Sequence, residues 1–364
     1  MELSKSMLTC MEEGRALTIP QCMNSVESTN TIQFSRKYAR FFTDIVLAIN
    51  VISRLLSKNI TATLREVYYA LKPRIHSQSH SNRLILKLAN ILGVSRRSLG
   101  IVASSKGLMA GCIVITRKKT LPSGEEYDVE PMDGSEILTS NNMHITHEWL
   151  ERGENGTTLS GVKVKATTTA KVILIIEKEG IFQHLLAVRI FEKFPCILVT
   201  GKGYPDMATR ALVWSLHKEL HLPVVGLCDY NPYGIHVLGT YYFSNRSGID
   251  GGSRYAVPIQ WLGLRPSHIN PIKEFVQPFA VQQLTDRDLK LIESLLHGKG
   301  YLKDEDCDAI HDMKNQGFKL ELEALHLLSI HLLGSLVLHM LEENYIQTFV
   351  ESDAVSKYLP AQAS

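Results

Sequence analysis

The chain has 364 residues, a formal net charge of +2 and a hydrophobic content of 45%. This length predicts two or three domains, and the hydrophobic content is sufficient for buried cores, so we expect a globular, multidomain protein. A membrane span is not expected, because no window reaches roughly 18 to 20 uninterrupted apolar residues. The most apolar stretch, residues 324–341, contains three histidines and a glycine and is expected to form a buried or interface helix.

The cysteine spacing and the N-terminal sequence indicate the kind of cellular compartment in which the protein is expected. Six cysteines are scattered without CxxC spacing, at positions Cys10, Cys22, Cys112, Cys196, Cys228 and Cys307. Neither a zinc site nor a disulfide framework is indicated, and a reducing compartment fits best. Residues 1–34 lack the apolar core of a signal peptide and are expected to form a flexible tail.

Three helices are predicted after the tail. In the first, apolar residues recur at three- and four-residue spacing over residues 39–55. The second begins at a capping box, in which Thr63 and Glu66 satisfy backbone donors at the helix start. The third is expected over residues 82–92 and ends at Gly93.

Two β-rich runs follow the third helix, at residues 99–104 and 108–116, and are joined at Lys106 and Gly107. Three helices followed by such a hairpin predict a winged-helix domain over residues 35–120. Between residues 61 and 120 the chain has eleven Lys and Arg against a single acid, Glu66. A run of charge is usually a solvated surface, but this excess in a domain of this pattern indicates nucleic-acid binding.

Two adjacent tyrosines, Tyr68 and Tyr69, lie on the second helix of this basic segment. A tyrosine phenol held against a polyanion can attack a phosphodiester and form a covalent phosphotyrosyl intermediate. A DNA-cleaving transesterase is therefore our working hypothesis for this segment. The alternative is that both tyrosines are amphipathic packing residues in a DNA-binding domain that does no chemistry.

The character of the chain changes after residue 120. Residues 121–168 are rich in acids, with Gly, Ser and Asn between them, and are expected to form a loop-rich linker. Strand and helix patterns then alternate, with strands at 171–176, 196–200 and 223–228 and helices at 181–194, at 205–220 and after Pro232. This βαβαβα order predicts an α/β domain with a parallel sheet.

Acids follow two of these strands, Glu177 after the first and Asp229 after the third. Ligand sites in parallel sheets lie at the carboxyl ends of the strands, and oxygen ligands at that position suit Mg²⁺. Either acid alone is more often a helix cap or a loop residue, but the pair is more specific. The segment 201–205, Gly-Lys-Gly-Tyr-Pro, follows the middle strand and permits close backbone approach to a phosphate.

These motifs together carry a family resemblance. They are Arg65-Glu66-Val67-Tyr68-Tyr69, Ser95-Arg96-Arg97-Ser98-Leu99, Ser105-Lys106-Gly107-Leu108, Ile176-Glu177-Lys178-Glu179, the GxGYPD segment 201–206 and Asp229-Tyr230-Asn231-Pro232-Tyr233-Gly234. From about residue 36 to 345 the chain resembles the A-type subunits of topoisomerase VI and their eukaryotic relatives, the meiotic recombination proteins that make programmed DNA double-strand breaks. Its length and motifs favour the meiotic branch.

The resemblance implies a CAP-like winged-helix domain followed by a Toprim domain, residues 169–364, that includes the C-terminal helices. It implies that Tyr69 is the nucleophile, with Arg65 one helical turn before it, and that Mg²⁺ is bound by Glu177, Asp229 and Asn231. The DNA contacts implied by the resemblance and the charge are Arg96, Arg97, Lys106, Lys202 and Tyr204.

One position departs from the family pattern. The last acidic motif usually has the form Asp-x-Asp, and here the second acid is replaced by Asn231. An amide oxygen can still bind magnesium, but it carries no charge and should bind the ion more weakly. Glu179 is a candidate substitute ligand.

The implied function is meiotic double-strand-break formation in the nucleus, on the chromosome, by transesterification that leaves a 5′-phosphotyrosyl link. The implied partners are double-stranded DNA, a second A-type chain in a homodimer or heterodimer, and a topoisomerase VI B-like subunit, with no membrane partner. Since the sequence has no GxxxxGK[ST] loop, any ATP step must come from a partner. Two alternatives stay open: a topoisomerase that reseals its break, and a non-catalytic DNA-binding paralogue.

Overall fold

The computed structural model describes residues 18–20, 31–33, 35–102, 106–120, 125–136, 143–145, 162–242, 255–276, 278–298, 302–329 and 331–356. They form two compact units, the first containing the described residues up to Val102 and the second those from Lys106 onward. The expected tail lies outside the described residues, except for two short antiparallel strands, β1 (Thr18–Pro20) and β2 (Thr31–Gln33).

Three helices build the first unit. They are α1 (Ala39–Ser57), α2 (Leu64–Leu71) and α3 (Gln78–Leu92), and they confirm the three predicted helices. The capping box at Thr63 and Glu66 is present, and Gly93 ends α3 in the left-handed conformation, with φ of 65°. The apolar faces of the helices share one core, which includes Ile45, Ala48, Ile85, Leu88 and Ile91.

The predicted hairpin after α3 is wrong. A helical turn at Arg97–Leu99 leads into β4 (Ile101–Val102), which pairs in parallel with β3 (Ala62–Thr63) between α1 and α2. The second run forms β5 (Leu108–Gly111), which belongs to the second unit. Every residue of β5 is buried, which is typical of a strand inside a central sheet and not of an exposed wing. The winged-helix assignment stays a prediction.

The second unit contains a six-stranded sheet. Its strands besides β5 are β8 (Met143–His144), β10 (Val172–Ile176), β11 (Cys196–Thr200), β12 (Val224–Leu227) and β13 (Ile259–Gly263). Their order across the sheet is β13-β12-β10-β11-β5-β8. Strands β10 to β13 are parallel, whereas β5 and β8 extend the sheet antiparallel. All residues of β10 and β11 are buried, so these strands form the centre of the core.

Helices follow the strands as predicted: α4 (Glu179–Ala187), α5 (Ile190–Lys193), α6 (Met207–Leu220) and α7 (Pro232–Tyr242). The single helix expected over residues 181–194 is divided, because Arg189 adopts a left-handed conformation with φ of 50° between α4 and α5. The predicted βαβαβα order of this region is confirmed.

The expected loop-rich linker contains strands. An antiparallel sheet of β6 (Ile113–Thr120), β7 (Glu126–Asp133) and β9 (Val162–Thr168) has β6 at its centre. One acid of β7 lies opposite a basic residue of β6, in the pair Lys118–Asp128, 3.6 Å apart. Opposite charges across strands stabilise such a pairing. Residues 106–120 therefore belong with the second unit, although the sequence assigned them to the first domain.

The C-terminal part is mainly helical. Its elements are α8 (Pro266–Ile269), short turns of helix at Lys273–Phe275 and Pro278–Ala280, β14 (Val281–Gln283), α9 (Asp286–His297), α10 (Asp304–Gln316), β15 (Phe318–Leu320), a 3₁₀ segment at Leu322–Leu327 and α11 (Leu332–Ser356). The helix predicted over residues 324–341 is thus two elements. Leu325, Leu333 and Val337 are fully buried in the core of the second unit. None of the described helices has the length and apolarity needed to cross a bilayer.

Candidate active site and metal centre

Tyr69 lies on α2 and presents its phenol to solvent, with 51% of the residue exposed. Two cations flank its ring: the Arg65 guanidinium lies 6.0 Å and the Lys72 ammonium 5.4 Å from the ring centre. Hydrogen bonding and charge from Arg65 lower the pKa of Tyr69, and Lys72 adds to this. Since the phenolate is the better nucleophile, these cations favour the reactive form of Tyr69.

Tyr68 has a different environment. Its hydroxyl donates a hydrogen bond to the carbonyl of His76, 3.3 Å away, and the residue is half-buried. The two tyrosine rings pack against each other with centres 5.4 Å apart. Tyr68 therefore ties the end of α2 to the turn before α3, while Tyr69 keeps an accessible hydroxyl.

Further basic residues of the first unit lie on and after α3. Arg83 and Lys87 are exposed on α3, and the Lys87 ammonium lies 4.2 Å from the centre of the Phe41 ring. Arg96 is partly exposed beside the turn that leads to β4. The side chain of Arg97 lies outside the described part of the structure.

Glu177 and Asp229 meet at the carboxyl ends of β10 and β12, as their positions in the sequence predict. One carboxylate oxygen of Glu177 accepts the backbone N–H of Asp229, at 3.1 Å. Asp229 is only 2% exposed. Burial, followed by the nearby charge of Asp229, raises the pKa of Glu177 to about 7. Burial also raises the pKa of Asp229. A buried and a partly buried carboxylate with raised pKa values are a favourable place for a cation.

Asn231 stands at the start of α7. Its side-chain oxygen accepts the backbone N–H of Gly234 at 2.7 Å, which is the role of a helix N-cap. Asn and Asp serve equally well in that role, so the substitution preserves the start of α7 while removing one charge. Gly234 leaves room for the acid pair, because a Cβ there would lie 2.8 Å from a carboxylate oxygen of Glu177.

The loop after β11 lies against the same edge of the sheet. The N–H of Gly203 donates to the carbonyl of Glu177 at 2.8 Å, and Lys202, with φ of 52°, pairs with Glu179 at 2.8 Å. The Tyr204 hydroxyl is hydrogen-bonded to Nδ1 of His236 at 2.8 Å, and the residue is 46% exposed.

Lys106 is held by this loop. Its backbone N–H donates to Asp206 at 2.8 Å, and its ammonium donates to the carbonyl of Lys202 at 3.3 Å. The structure therefore brings Lys106, Lys202 and Tyr204 together near Glu177, in the second unit. Tyr69, Arg65 and Arg96 belong to the first unit.

Three charged residues at this site were not singled out from the sequence: Lys178, Glu321 and Glu323. The Lys178 ammonium contacts carboxylate oxygens of Asp229, Glu321 and Glu323, at 2.9, 3.1 and 2.8 Å. Glu321 and Glu323 are more than 140 positions from Lys178 along the chain, so no local pattern could have predicted the contact.

The donor chemistry fits magnesium, because Glu177, Asp229 and Asn231 offer the hard oxygen ligands that this ion prefers. The complete ligand set is not assembled: no group of three or more His, Cys, Asp or Glu side chains within the described ranges is arranged to hold a metal ion. One oxygen of Asp229 contacts Lys178, and Glu179 contacts Lys202.

Two family models match the chain. The model described as the Toprim domain of the topoisomerase 6 A-type subunit and Spo11 matches residues 172–339, and the model of type IIB DNA topoisomerases matches residues 40–101. The first match begins at β10 and includes the acid pair, and the second includes the three helices of the first unit and Tyr69.

Several curated proteins are similar over most of the chain. The meiotic recombination protein SPO11-2 of Oryza sativa subsp. japonica is 30% identical over 88% of this chain and 77% of its own length. The human meiotic recombination protein SPO11 is 32% identical over 72% of this chain and 61% of its own length. The A-type subunit of DNA topoisomerase 6 from Arabidopsis thaliana is 28% identical over 68% of this chain and 52% of its own length.

Proposed function

This chain belongs to the family of Spo11 and the topoisomerase 6 A-type subunits, and on that premise we propose that it makes DNA double-strand breaks that initiate meiotic recombination. The names of the relatives support the meiotic role, since the rice and human proteins are called meiotic recombination proteins. The relevant compartment is then the nucleus, and the substrate is chromosomal duplex DNA.

The reaction that fits the first unit is transesterification. The Tyr69 oxygen attacks a backbone phosphorus, an O–P bond to tyrosine forms, and the bond to the 3′ oxygen breaks. The phenol proton passes to solvent and the leaving 3′ oxygen takes up a proton, so the step consumes no cofactor and no energy source. Arg65 favours the phenolate and, one turn from Tyr69 on α2, can also contact the phosphate.

Glu177, Asp229 and Asn231 would hold the Mg²⁺ ion, which when bound would supply positive charge to offset that of the DNA phosphate. The chain's own residues orient this set. Gly234 leaves space for the Glu177 carboxylate, and the backbone of Leu322 donates to Asp229 at 2.9 Å. Because Asn231 is uncharged, these ligands carry one negative charge fewer than they would with aspartate at that position.

DNA binding is assigned to the basic side chains on both units. Arg96 and Arg97 follow α3 in the segment with eleven basic residues against one acid. Lys202 and Tyr204 belong to the loop after β11, and Lys106 is hydrogen-bonded to that loop. Phosphate contacts of this kind bind DNA without reading its sequence and weaken as salt rises.

The active assembly is proposed to be a dimer of A-type chains with a topoisomerase VI B-like subunit. Each chain offers one candidate nucleophile, while a duplex break needs two. A resealing topoisomerase is the second candidate, supported by the similarity to the Arabidopsis topoisomerase 6 protein; the chain nevertheless covers only 52% of that protein, against 77% of rice SPO11-2.

One observation carries the proposal: Tyr69 is exposed and flanked by two cations, whereas the half-buried Tyr68 donates its hydroxyl proton to the carbonyl of His76. The test is to express wild-type, Tyr69→Phe and Tyr68→Phe chains in meiotic cells that lack the endogenous break-forming enzyme. Covalent protein–DNA complexes are then recovered under denaturing conditions and counted. Complexes should form with wild-type and Tyr68→Phe but not with Tyr69→Phe, and their formation by Tyr69→Phe would refute the assignment.

A further inference from the structure

The Lys178 side chain lies in the middle of the acidic residues of the proposed metal centre. Its ammonium contacts Asp229, Glu321 and Glu323, all within 3.1 Å. An ammonium group has three N–H donors, and each has a carboxylate partner here. Neither the proposed chemistry nor the DNA contacts use this residue.

We propose that Lys178 is a built-in counter-cation that competes with the divalent metal ion for the Asp229 carboxylate. The inference rests on the proposed function, because it takes Glu177 and Asp229 as metal ligands. It makes Lys178 a positioning residue that sets how much divalent cation the site requires.

The two oxygens of Asp229 have partners of different kinds. One accepts the backbone N–H of Leu322 at 2.9 Å, and the other contacts the Lys178 ammonium at 2.9 Å. The backbone partner is fixed, since Tyr230 and Leu320 exchange two backbone hydrogen bonds beside it, at 2.9 and 3.0 Å. Lys178 is therefore the partner that can leave when a metal ion arrives.

The other two contacts of Lys178 also permit movement. The side chains of Glu321 and Glu323 are 51% and 44% exposed, whereas that of Asp229 is 3% exposed. Exposed carboxylates can follow an ammonium group towards solvent at little cost. Lys178 itself lies on extended backbone before α4, so its side chain can move without disturbing the helix.

Charge determines the direction of the effect. Three carboxylates, those of Asp229, Glu321 and Glu323, contact one ammonium, so the cluster keeps a negative charge that attracts cations. A divalent ion bound to Asp229 would lie within a few ångströms of the ammonium and be repelled by it. Asn231 adds no negative charge to the site. The single positive charge of Lys178 therefore has a larger relative effect on the affinity for a divalent cation.

The experiment measures the thermal midpoint of the purified full-length chain while MgCl₂ or MnCl₂ alone is titrated from an EDTA-treated sample. Lys178→Met removes the charge and keeps the length of the side chain, while Lys178→Arg keeps the charge. Lys319→Met is the matched control, because Lys319 is also a partly buried lysine that contacts a buried carboxylate, Asp288, at 2.8 Å.

In Lys178→Met, the metal-free midpoint should fall, and the half-maximal metal concentration should fall by about tenfold or more, as expected from loss of a unit charge at close range. Lys178→Arg should titrate near wild type. Lys319→Met should lower the midpoint equally with and without metal. An unchanged or higher half-maximal concentration in Lys178→Met would overturn the inference.

Two further arms keep the test decisive. Should Lys178→Met fail to fold, Lys178→Gln, which keeps an N–H donor, is titrated with Mn²⁺ by electron paramagnetic resonance, and the same direction is expected. If neither cation binds or stabilises the wild-type chain, the assignment of the metal ligands in the proposed function is wrong, and this inference falls with it. Metal binding by wild type that Lys178 variants leave unchanged would overturn the inference alone.

Discussion

At the scale of single residues, the proposed chemistry depends on how neighbouring groups shift the pKa values of a phenol and a carboxyl group. Arg65 and Lys72 lower the pKa of the Tyr69 phenol, whereas burial and Asp229 raise that of Glu177 to about 7. The first shift favours the phenolate, and the second means that burial and the charge of Asp229 disfavour the ionised form of Glu177. Both follow from which charges lie within a few ångströms of the group.

The Glu177 shift predicts a pH dependence of stability in the metal-free chain. The pKa of Glu177 is 4.5 in the unfolded chain and about 7 in the folded chain. Between these two pH values the folded chain binds more protons than the unfolded chain. The free energy of unfolding therefore falls as pH rises through this window and stays lower above it. A shift of this size corresponds to about 3 kcal/mol. Glu177→Gln in EDTA should therefore raise the thermal midpoint at about pH 8 but much less at about pH 5.

Scanning calorimetry at the two pH values measures this difference. Glu192→Gln is the control, because Arg189 lowers the pKa of Glu192 and no gain at high pH is expected. Equal midpoint changes for Glu177→Gln at both pH values would contradict the assignment of a raised pKa.

Gly234 gives a second prediction at this scale. The Cβ of Gly234→Ala would lie 2.8 Å from a Glu177 carboxylate oxygen and 3.0 Å from the carbonyl of Asp229, so the acid must move. Displacement of a reacting group by about 1 Å can cost roughly 100-fold in rate, and we expect a loss of DNA cleavage of that order.

The matched control is Gly180→Ala on α4, where an added Cβ meets nothing within 4 Å. It should keep full cleavage and gain up to about 1 kcal/mol of stability, since Ala favours helix over Gly. Cleavage of a labelled duplex and urea denaturation measure both effects, and equal cleavage by the two variants would show that Gly234 is not needed for space.

At the scale of elements, the sequence predicted helix starts, helix ends and the alternation of strands and helices, because local patterns determine these features. The capping box at Thr63, the end of α3 at Gly93 and the alternation of β10 to α7 depend on neighbours a few positions apart. The sequence could not predict the partner of β5, because its apolar run suits either a hairpin or a central sheet. Pairing with β11, about 90 residues later, decided between them.

Asp206 connects two elements and gives an element-scale prediction. Its carboxylate caps α6 by accepting the N–H of Thr209 at 2.8 Å, and its other oxygen accepts the N–H of Lys106 just before β5, also at 2.8 Å. Asp206→Ala removes both backbone hydrogen bonds, together with one from the Thr209 hydroxyl at 3.1 Å, and should lower the free energy of unfolding by about 2 kcal/mol.

Asp206→Asn keeps one oxygen for the cap and should lose about half as much. Urea denaturation of the two variants, followed by fluorescence, gives their free energies of unfolding. The slope of free energy against urea concentration, the m-value, should be the same in both. A loss from Asp206→Asn as large as that from Asp206→Ala would indicate that charge, and not the two hydrogen bonds, stabilises this connection.

At the scale of the whole molecule, the residues of the proposed reaction are divided between two units, with Tyr69 in the first and Glu177 and Asp229 in the second. Sequence motifs predicted both sets, because each follows a local signal. They could not predict that Lys178, Glu321 and Glu323 surround Asp229, since this depends on how the C-terminal segment returns to β12.

The division predicts that two chains share their active sites. A duplex break needs two nucleophiles, and a two-fold dimer matches the pseudo-dyad of DNA. In a mixed dimer of a Tyr69→Phe chain with a Glu177→Gln chain, sharing between chains leaves one intact composite site and hence single-strand nicks. A verified, DNA-bound mixed dimer that makes no nicks would refute the shared arrangement, and the control is a dimer of two Tyr69→Phe chains.

The central claim is that Tyr69 forms a covalent bond to the 5′ end of broken DNA. The most direct measurement recovers covalent protein–DNA complexes from meiotic cells that express this chain, digests them, and identifies the modified peptide and the attached DNA end by mass spectrometry. We predict a nucleotide linked through a 5′ phosphate to Tyr69, within the peptide that contains Tyr68. Attachment to Tyr68, or to a 3′ phosphate, would contradict the account.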